Sequence, residues 1–279
     1  MIALIDGDIV IYQAAAKAEQ TVDWDDGDTI SITGSKEETR DNIDSLVRSI
    51  KKAVGAKRVL LLYSDTENFR KKVYPDYKSN RVGKRKPMTF AYGKAYAKGK
   101  YDHMTREGLE ADDCLAILAT GEVAGFTADR VVCSIDKDMR TFPCKLYNWM
   151  KPDDGVVEIS EAEAGLAFYS QILTGDSVDG YPGCPGAGPK RAEKLLDTDG
   201  VYEYWNHPDE PAGDSFDAVE AWSRVVAVYK KKHLTEEDAI AQARCARILR
   251  AEDYDFETKK PILWTPPTAD AETEQGEAA

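Results

Sequence analysis

The first apolar run of the chain reads Met1-Ile-Ala-Leu-Ile-Asp6, five apolar residues that lead into an aspartate. Two later runs have the same form: RVLLLY at 58–63 leads to Asp65, and RVVCSI at 130–135 leads to Asp136. Their length and their content of Leu and β-branched residues predict buried β-strands. Helical patterns lie between them, so we expect an α/β fold with a central, mostly parallel sheet flanked by helices.

Helical spacing is clearest where Ile43, Leu46, Val47, Ile50 and Val54 recur and the pattern stops before Gly55. The second half, from about residue 160, is predicted to be mainly helical. The expected helices are Glu161 to Leu173, Lys190 to Leu196, Phe216 to Lys232, and Glu236 to Arg250 behind a Thr235-x-x-Asp238 capping pattern. We therefore predict an α/β core over 1–159, a helical region over 160–265 and a disordered acidic tail over 266–279.

Acidic residues follow each predicted strand. The carboxyl ends of neighbouring parallel strands meet at one edge of a sheet, so Asp6, Asp65 and Asp136 are expected there, with Asp138 two residues further on. An aspartate after a strand is also a common turn or N-cap residue, but three in register are harder to explain in that way. The run Glu110-Ala-Asp112-Asp113 places three more acids in the first turn of a helix, where capping alone would account for one or two.

Seven carboxylates at one edge, with Lys137 as the local base, need cations in order to stay ionised. Oxygen ligands favour hard divalent ions, so Mg²⁺ is expected, with Mn²⁺ as a substitute. Two such ions about 4 Å apart can activate a water and stabilise the leaving oxygen when a phosphodiester is hydrolysed.

The formal net charge of −13 argues at first against a nucleic-acid partner, because phosphate binding favours a basic surface. The charge is unevenly distributed, however: residues 67–100 hold eleven Lys or Arg and two acids. This segment has several tyrosines and no clear apolar stripe, so we predict a mobile basic insertion. Five scattered cysteines predict reduced core residues, and the short apolar runs predict a cytoplasmic protein without a membrane span.

A glycine-rich run lies between two predicted helices, Thr174-Gly-Asp-Ser-Val-Asp-Gly-Tyr-Pro-Gly-Cys-Pro-Gly-Ala-Gly-Pro-Lys-Arg-Ala192. Its glycines allow the backbone to approach a partner closely, and the helix that starts at Pro189 can offer its amides to a phosphate. The run predicts a helix-hairpin-helix that binds the backbone of a duplex; the alternative is a simple loop between packed helices. Asp176 and Asp179 lie just before the hairpin and could reach the acid cluster.

These motifs, with Tyr74-Pro-Asp-Tyr-Lys-Ser-Asn-Arg81 and Ser134-Ile-Asp-Lys-Asp138, resemble the flap endonuclease and 5'→3' exonuclease superfamily across about residues 1–200. The C-terminal motifs Leu234-Thr-Glu-Glu-Asp238, Ala246-Arg-Ile-Leu-Arg250 and Ile262-Leu-Trp264 are similar to those of exonucleases from short-tailed bacteriophages. The resemblance implies a PIN-like core with a basic arch at about 66–103 and a helix-hairpin-helix at about 174–197.

The resemblance also implies a structure-dependent 5'→3' DNA exonuclease with flap endonuclease and RNase H-like activity. Its expected partners are duplex, nicked or flapped DNA and RNA-DNA hybrids, and its expected roles are phage DNA replication, recombination, primer removal or host DNA degradation. A monomer in the cytoplasm of an infected bacterium is implied, with two Mg²⁺ ions and with K⁺ at the hairpin. The sequence does not decide between exonuclease and flap endonuclease preference.

The site residues that the resemblance implies fall into three groups. The catalytic group is Lys78, Arg81 and Asp136. In the family, the side chains that match Lys78 and Arg81 steady the scissile phosphate. The metal ligands are Asp6, Asp65, Glu110, Asp112, Asp113, Asp136, Asp138, Asp176 and Asp179. The DNA contacts are Tyr77, Lys78, Arg81, Lys84, Arg85, Lys86, Gly183, Gly186, Gly188, Lys190 and Arg191.

The sequence also allows two other interpretations. Asp6-Gly-Asp8 also resembles the start of haloacid-dehalogenase-type phosphotransferases, in which the first aspartate is a nucleophile, but that reading leaves the basic segment and the hairpin unexplained. A DNA-binding module without catalysis would not need the full acidic set. Asp8 departs from many superfamily members and is expected to support the ligands rather than join them. A hairpin over 22–32 with an Asp-Gly turn is predicted as a decoration.

Overall fold

The computed structural model describes residues 1–23, 30–123, 125, 128–196 and 216–268. The chain forms two compact units. The first comprises Met1–Glu67, Gly83–Met139 and Cys144–Glu158, and the second comprises Asn68–Val82, Arg140–Pro143 and the chain from Ile159 onward. The second unit therefore includes part of the segment that we predicted as one insertion over 66–103.

The first unit is built on a six-stranded sheet. Its strands are β1 (Ile2–Asp6), β4 (Arg58–Leu62), β5 (His103–Met104), β6 (Arg130–Cys133), β7 (Cys144–Tyr147) and β8 (Val156–Ile159), in the order β5-β4-β1-β6-β7-β8. The pairings β5-β4, β4-β1, β1-β6 and β6-β7 are all parallel. The three strands predicted from the apolar runs are adjacent at the centre of this sheet, so the expected α/β architecture is confirmed.

Helices of the first unit cover the sheet, and a small hairpin accompanies them. The helices are α1 (Gly7–Lys17), α2 (Lys36–Ala53), α4 (Phe90–Lys100) and α5 (Ala111–Thr120). In α2, Ile43, Val47 and Ile50 are buried and the helix ends just before Gly55 (φ +63°), as predicted. Strands β2 (Glu19–Asp23) and β3 (Ile30–Gly34) pair antiparallel and confirm the decorating hairpin, whose Asp-Gly turn lies outside the described residues.

Helix α4 lies in the segment for which no apolar stripe was found. Its buried residues are Gly93 and Ala97, and a Cβ at Gly93 would lie 3.1 Å from both Ile11 Cγ2 and Thr39 Cγ2. The helix thus packs through small residues, which a search for large apolar side chains does not detect. This part of the predicted mobile insertion is a packed helix.

The second unit is mainly helical. It contains α3 (Arg70–Val73), α6 (Glu161–Thr174), α7 (Pro189–Leu196), α8 (Ala218–Lys230) and α9 (Glu236–Ala246), followed by the antiparallel pair β9 (Tyr254–Asp255) and β10 (Lys260–Pro261). The predicted capping box of Thr235 and Asp238 is confirmed. Helix α9 ends four residues earlier than predicted, because Arg247 leaves the helical region at ψ 109°.

A buried arginine anchors residues 68–82 to the helical unit. Arg70 is 1% exposed; its Nε donates to the Cys245 carbonyl at 3.1 Å and its Nη2 to the Arg247 carbonyl at 2.6 Å. Its guanidinium also lies over the ring of Tyr77, which is itself buried beside Tyr181. Arg70 therefore binds carbonyls at and just beyond the end of α9, where an unpaired charge would be costly.

All five cysteines are free, and four of them are buried, which agrees with the expectation of reduced core residues. Among the described residues, no helix is long and apolar enough to cross a bilayer. Most of the predicted acidic tail, residues 269–279, lies outside the described part of the chain.

Candidate metal and nucleic-acid site

Three neighbouring parallel strands deliver an aspartate to the same edge of the sheet. Asp6 is the last residue of β1, pairs in register with Leu62 of β4, and lies one step beyond the pairing of Ile5 with Cys133 of β6. Asp65 and Asp136 follow β4 and β6 by three residues each. The convergence of these segments, expected from their apolar runs, is confirmed by the sheet order.

Asp6 and Asp136 are linked through one serine. Ser134 Oγ lies 3.3 Å from Asp6 Oδ2 as a donor and accepts from the Asp136 amide at 3.2 Å. Asp136 Oδ1 in turn accepts from the Asp138 amide at 3.0 Å, and Asp6 Oδ1 accepts from the Ile9 amide at 3.1 Å. Asp6 is buried and Asp136 is exposed, so the pair runs from the interior of the edge to its surface.

Asp65 and the acids of α5 are held by backbone amides. The amides of Gly108 and Thr66 each donate to Asp65 at 2.8 Å, and these bonds hold the pKa of that carboxyl below its usual range. Glu110 and Asp113 form a capping box at the start of α5, with the Glu110 amide donating to Asp113 Oδ2 at 3.1 Å. Helix capping thus explains part of this acidic run.

The chemistry of the donors fits a hard divalent cation. Burial raises the pKa of Asp6 to about 7, and the charges of Asp8 and Asp136 add to the rise. A bound cation would oppose both effects, because it stabilises the ionised carboxylate. In the described part of the chain, however, no three of the acidic, His or Cys side chains form a group that could hold an ion. Asp6, Asp65 and Asp136 lie at the same edge of the sheet, and their assignment as metal ligands remains a prediction.

We expect Asp6→Asn to stabilise the metal-free protein at pH 8 and to have much less effect at pH 4.5. The raised pKa of Asp6 means that the folded state keeps a proton which the unfolded state loses near pH 4, so the stability that this proton confers is lost as pH rises towards 7. Because asparagine does not titrate, the free energy of unfolding of Asp6→Asn minus that of wild type should differ by on the order of 3 kcal/mol between pH 8 and pH 4.5. Denaturant unfolding in EDTA measures it.

Asp65→Asn is the matched control, because the pKa of Asp65 is lowered and its stabilising contribution is lost as pH falls. That loss begins only near pH 4, so the mutant-minus-wild-type stability of Asp65→Asn should be nearly the same at pH 8 and pH 4.5, in contrast to that of Asp6→Asn. A mutant-minus-wild-type difference for Asp6→Asn that is equal at both pH values would contradict the account.

The glycine-rich run forms a tight hairpin between α6 and α7. Asp176 pairs with Tyr181 in an antiparallel bridge, and the left-handed Gly175 and Gly183 face each other. A Cβ on Gly183 would lie 2.3 Å from the Gly175 nitrogen. Gly186 also has a positive φ, whereas Gly188 has open space around it. The predicted helix-hairpin-helix architecture is present, and the exposed Lys190 and Arg191 lie in the first turn of α7.

Lys78 and Arg81 both bind Asp179 within the helical unit. Lys78 Nζ lies 3.4 Å from Asp179 Oδ2, and Arg81 Nη2 lies 2.5 Å from Asp179 Oδ1. The Lys78 amide donates to the Asp179 carbonyl at 2.7 Å and holds Lys78 in a left-handed conformation at φ 56°. Asn80 Nδ2 donates to the carbonyls of Ser177 and Val178. Lys78 and Arg81 are therefore docked on the turn between Asp176 and Tyr181, which differs from the mobile insertion that we predicted.

Three predicted site residues have local structural partners. Asp176 Oδ1 accepts from the amides of Val178 and Asp179, so its carboxylate shapes the turn. Tyr77, predicted to contact DNA, is only 2% exposed and donates its hydroxyl to Asp179 Oδ2 at 3.0 Å. The ring is thus part of the core, which corrects the predicted contact. The assignment of Asp176 and Asp179 to a metal stays a prediction.

The remaining predicted DNA contacts lie on the first unit. Lys84, Arg85 and Lys86 are exposed, and Arg85 binds both carboxylate oxygens of Glu19, at 2.7 and 2.9 Å. Lys86 Nζ lies 4.7 Å from the centre of the Phe90 ring. Lys84, Arg85 and Lys86 thus form an exposed basic surface, and Arg85 in it is paired with Glu19 of β2.

Sequence reasoning missed several polar residues that organise the edge. Ser134 joins Asp6 to Asp136, and Ser64 joins the end of β4 to α5 by accepting from the Ala111 amide at 3.1 Å. Lys94 pairs with Asp8 at 2.8 Å. Both serines lie one or two residues before a predicted ligand, which was an available signal; Lys94 had none, because its partner is distant in sequence.

Comparison with known proteins gives a consistent result. Residues 1–163 match the family model described as "5'-3' exonuclease, N-terminal resolvase-like domain". The chain is 30% identical to the exodeoxyribonuclease of Enterobacteria phage T3 and 28% identical to the exonuclease of Escherichia phage T7, in each case over 95% of this chain and 93% of the relative. A bacteriophage T5 flap endonuclease crystallised with DNA and metal ions has the same fold, with a TM-score of 0.58 at 16% identity over 88% of this chain and 89% of that one.

Proposed function

This chain belongs to the 5'-3' exonuclease family, and from that premise we propose how its residues carry the reaction. It is a structure-dependent 5'→3' exonuclease and flap endonuclease, a phosphodiester hydrolase. The observation that supports the site most directly is the placement of Asp6, Asp65 and Asp136 at the ends of three adjacent parallel strands. Open parallel sheets bind their ligands at that edge.

The proposed cofactor is a pair of Mg²⁺ ions, which Mn²⁺ can replace. We assign the acids of the edge as ligands, with Asp6 and Asp136 as the central pair because Ser134 joins them. Two divalent ions supply an activated water and charge stabilisation at the leaving oxygen. A related T5 5'-exonuclease has been solved with divalent zinc ions bound, which supports a divalent metal as the cofactor. K⁺ at the hairpin is part of the same proposal.

Lys78 and Arg81 are proposed to neutralise the scissile phosphate. Both bind the Asp179 carboxylate in this structure, and a phosphate is an alternative anion for the same pair. The exposed Lys190 and Arg191, with the amides at the start of α7, are proposed to bind duplex backbone without reading its sequence.

The proposed substrates are duplex, nicked and flapped DNA and RNA-DNA hybrids, acted on by a monomer. A role in phage DNA replication, recombination, primer removal or host DNA degradation in the cytoplasm of an infected bacterium would use these substrates. The phage T3 and T7 relatives support that setting.

A product ladder tests the proposal. Duplex, nicked, flapped and RNA-DNA hybrid substrates, labelled at the 5' or the 3' end, would be incubated with Mg²⁺, with Mn²⁺ and with EDTA. We expect products cut near 5' ends with either metal and no cleavage in EDTA. Cleavage that persists in EDTA, or products released from 3' ends, would disprove the proposed chemistry.

We expect Lys78→Ala to lower kcat by at least about tenfold while raising the Kd for duplex by about threefold or less. The reason is that a charge aimed at the developing negative charge matters more in the transition state than in the bound ground state. Single-turnover cleavage and binding in Ca²⁺ would measure the two effects separately. Lys72→Ala, an exposed lysine of the same unit, is the control. Equal losses in binding and turnover would reduce Lys78 to an electrostatic contact.

A further inference from the structure

Asp8 lies two residues after Asp6, on the first turn of α1, and its carboxylate is fully engaged by the protein. Its Oδ2 accepts from the Ser64 amide at 2.7 Å, and its Oδ1 accepts from Lys94 Nζ at 2.8 Å. The side chains of Asp8 and Lys94 are 24% and 26% exposed, so the pair is largely shielded from water. A carboxylate held on both oxygens is poorly available to a metal ion.

These contacts connect the segments that bear the acids. Ser64 precedes Asp65 and accepts through Oγ from the Ala111 amide at 3.1 Å, at the start of the helix that follows Glu110. Asp8 therefore links the end of β1, the end of β4 and, through Ser64, the start of α5. Each of these segments supplies acids to the proposed ligand set.

Lys94 is itself held in place. Its Nζ lies 5.0 Å from the centre of the Tyr63 ring, and Lys98, one turn later on α4, lies 5.2 Å from the same ring. Tyr63 is fully buried, and a Cβ on Gly7 would lie 2.5 Å from its Cε1. The ring is thus packed directly against the backbone between Asp6 and Asp8, and it presents its face to Lys94.

We propose that Asp8 is a positioning residue for the acid cluster, which it organises through Ser64 while Lys94 holds its carboxylate away from the metal. The inference rests on the proposed function, because it assumes that the neighbouring acids bind divalent ions. It predicts that a side chain able to accept a hydrogen bond at position 8 is sufficient, and that a negative charge there is not required.

The test is Mn²⁺ binding to the full chain without DNA, measured by electron paramagnetic resonance, together with kcat and KM on a flap substrate. Asp8→Asn keeps an oxygen for the Ser64 amide, and we expect it to bind Mn²⁺ within about threefold of wild type. Asp8→Ala loses both contacts and should weaken Mn²⁺ binding by about tenfold or more and lower kcat with little change in KM. Thermal melting would show whether each variant is folded.

The Lys94 and Lys98 variants make the test sharper. Lys94→Met removes one of the two anchors of Asp8 and is expected to weaken Mn²⁺ binding by about threefold. Lys98→Met is the matched control, because it covers the same ring from the next turn of α4, and we expect wild-type Mn²⁺ binding.

Three results would overturn the positioning role. If Asp8→Asn weakened Mn²⁺ binding as much as Asp8→Ala, Asp8 would be a metal ligand, since an amide is a poor replacement for a carboxylate. If Lys94→Met tightened Mn²⁺ binding, the released carboxylate would be serving the metal. If Asp8→Ala bound and cleaved like wild type, position 8 would have no role. A wild-type chain that neither bound Mn²⁺ nor cleaved DNA would instead disprove the proposed function.

Discussion

Asp136→Asn is expected to lower kcat by about a thousandfold or more while the protein folds normally and binds duplex with nearly unchanged affinity. Asp136 is exposed, and its Oδ1 accepts from the Asp138 amide, a bond that an asparagine oxygen can also make. The substitution therefore removes one negative charge and one carboxylate ligand without disturbing the packing. A thousandfold loss corresponds to about 4 kcal/mol of transition-state stabilisation.

The measurement is single-turnover cleavage of a flap substrate across a range of Mg²⁺ concentrations, with duplex binding measured in parallel. Asp153→Asn, an exposed aspartate of the same unit that is not in the proposed ligand set, is the matched control. Turnover within a few-fold of wild type for Asp136→Asn would remove Asp136 from the ligand set. If high Mg²⁺ restored the activity of the variant, Asp136 would contribute to metal binding alone.

The parts of this fold that could be predicted are those with local patterns. Short apolar runs marked the three central strands, and the spacing of Ile43, Val47 and Ile50 marked α2 up to its end at Gly55. Because side chains after parallel strands must share an edge, the meeting of the segments at Asp6, Asp65 and Asp136 followed from the strands alone. Glycine spacing likewise predicted the hairpin between α6 and α7.

The parts that could not be predicted depend on contacts between residues far apart in the chain. In the sequence, Arg70 is one of eleven basic residues between 67 and 100 and has no distinguishing feature. The structure shows that it is buried and donates to the carbonyls of Cys245 and Arg247. Once Arg70 and Tyr77 are placed in the core, residues 68–82 belong to the helical unit rather than to a single mobile insertion. An interpretation of this segment based on its charge alone therefore misses the buried arginine that anchors it.

The acid cluster shows the same division between local and distant information. Sequence identified which acids occur after strands, but it could not show that Asp113 caps α5 or that Asp176 shapes the hairpin turn. Those carboxylates have structural partners as well as a proposed catalytic use. Substituting them would therefore confound stability with activity, which makes the exposed Asp136 the better probe of chemistry.

Gly183→Ala is expected to destabilise the helical unit by about 2–5 kcal/mol and to abolish tight duplex binding. Gly183 has φ +64°, and an added Cβ would lie 2.3 Å from the Gly175 nitrogen and 2.6 Å from the Leu173 carbonyl oxygen. The left-handed conformation costs roughly 1–2 kcal/mol for alanine. The overlap adds about 1–3 kcal/mol, because backbone cannot move aside as a flexible side chain can.

The amide of Gly183 also donates to Gln242 Oε1 of α9 at 2.8 Å. A shift of the hairpin would therefore also weaken its contact with α9. Gly188→Ala is the matched control: it lies in the same hairpin, has no atom within 4 Å of an added Cβ, and should melt like wild type. Any loss of duplex affinity in Gly188→Ala would then report close approach of DNA rather than misfolding. Thermal melting and duplex binding of both variants decide the matter, since equal melting midpoints would show that the hairpin accommodates a side chain at position 183.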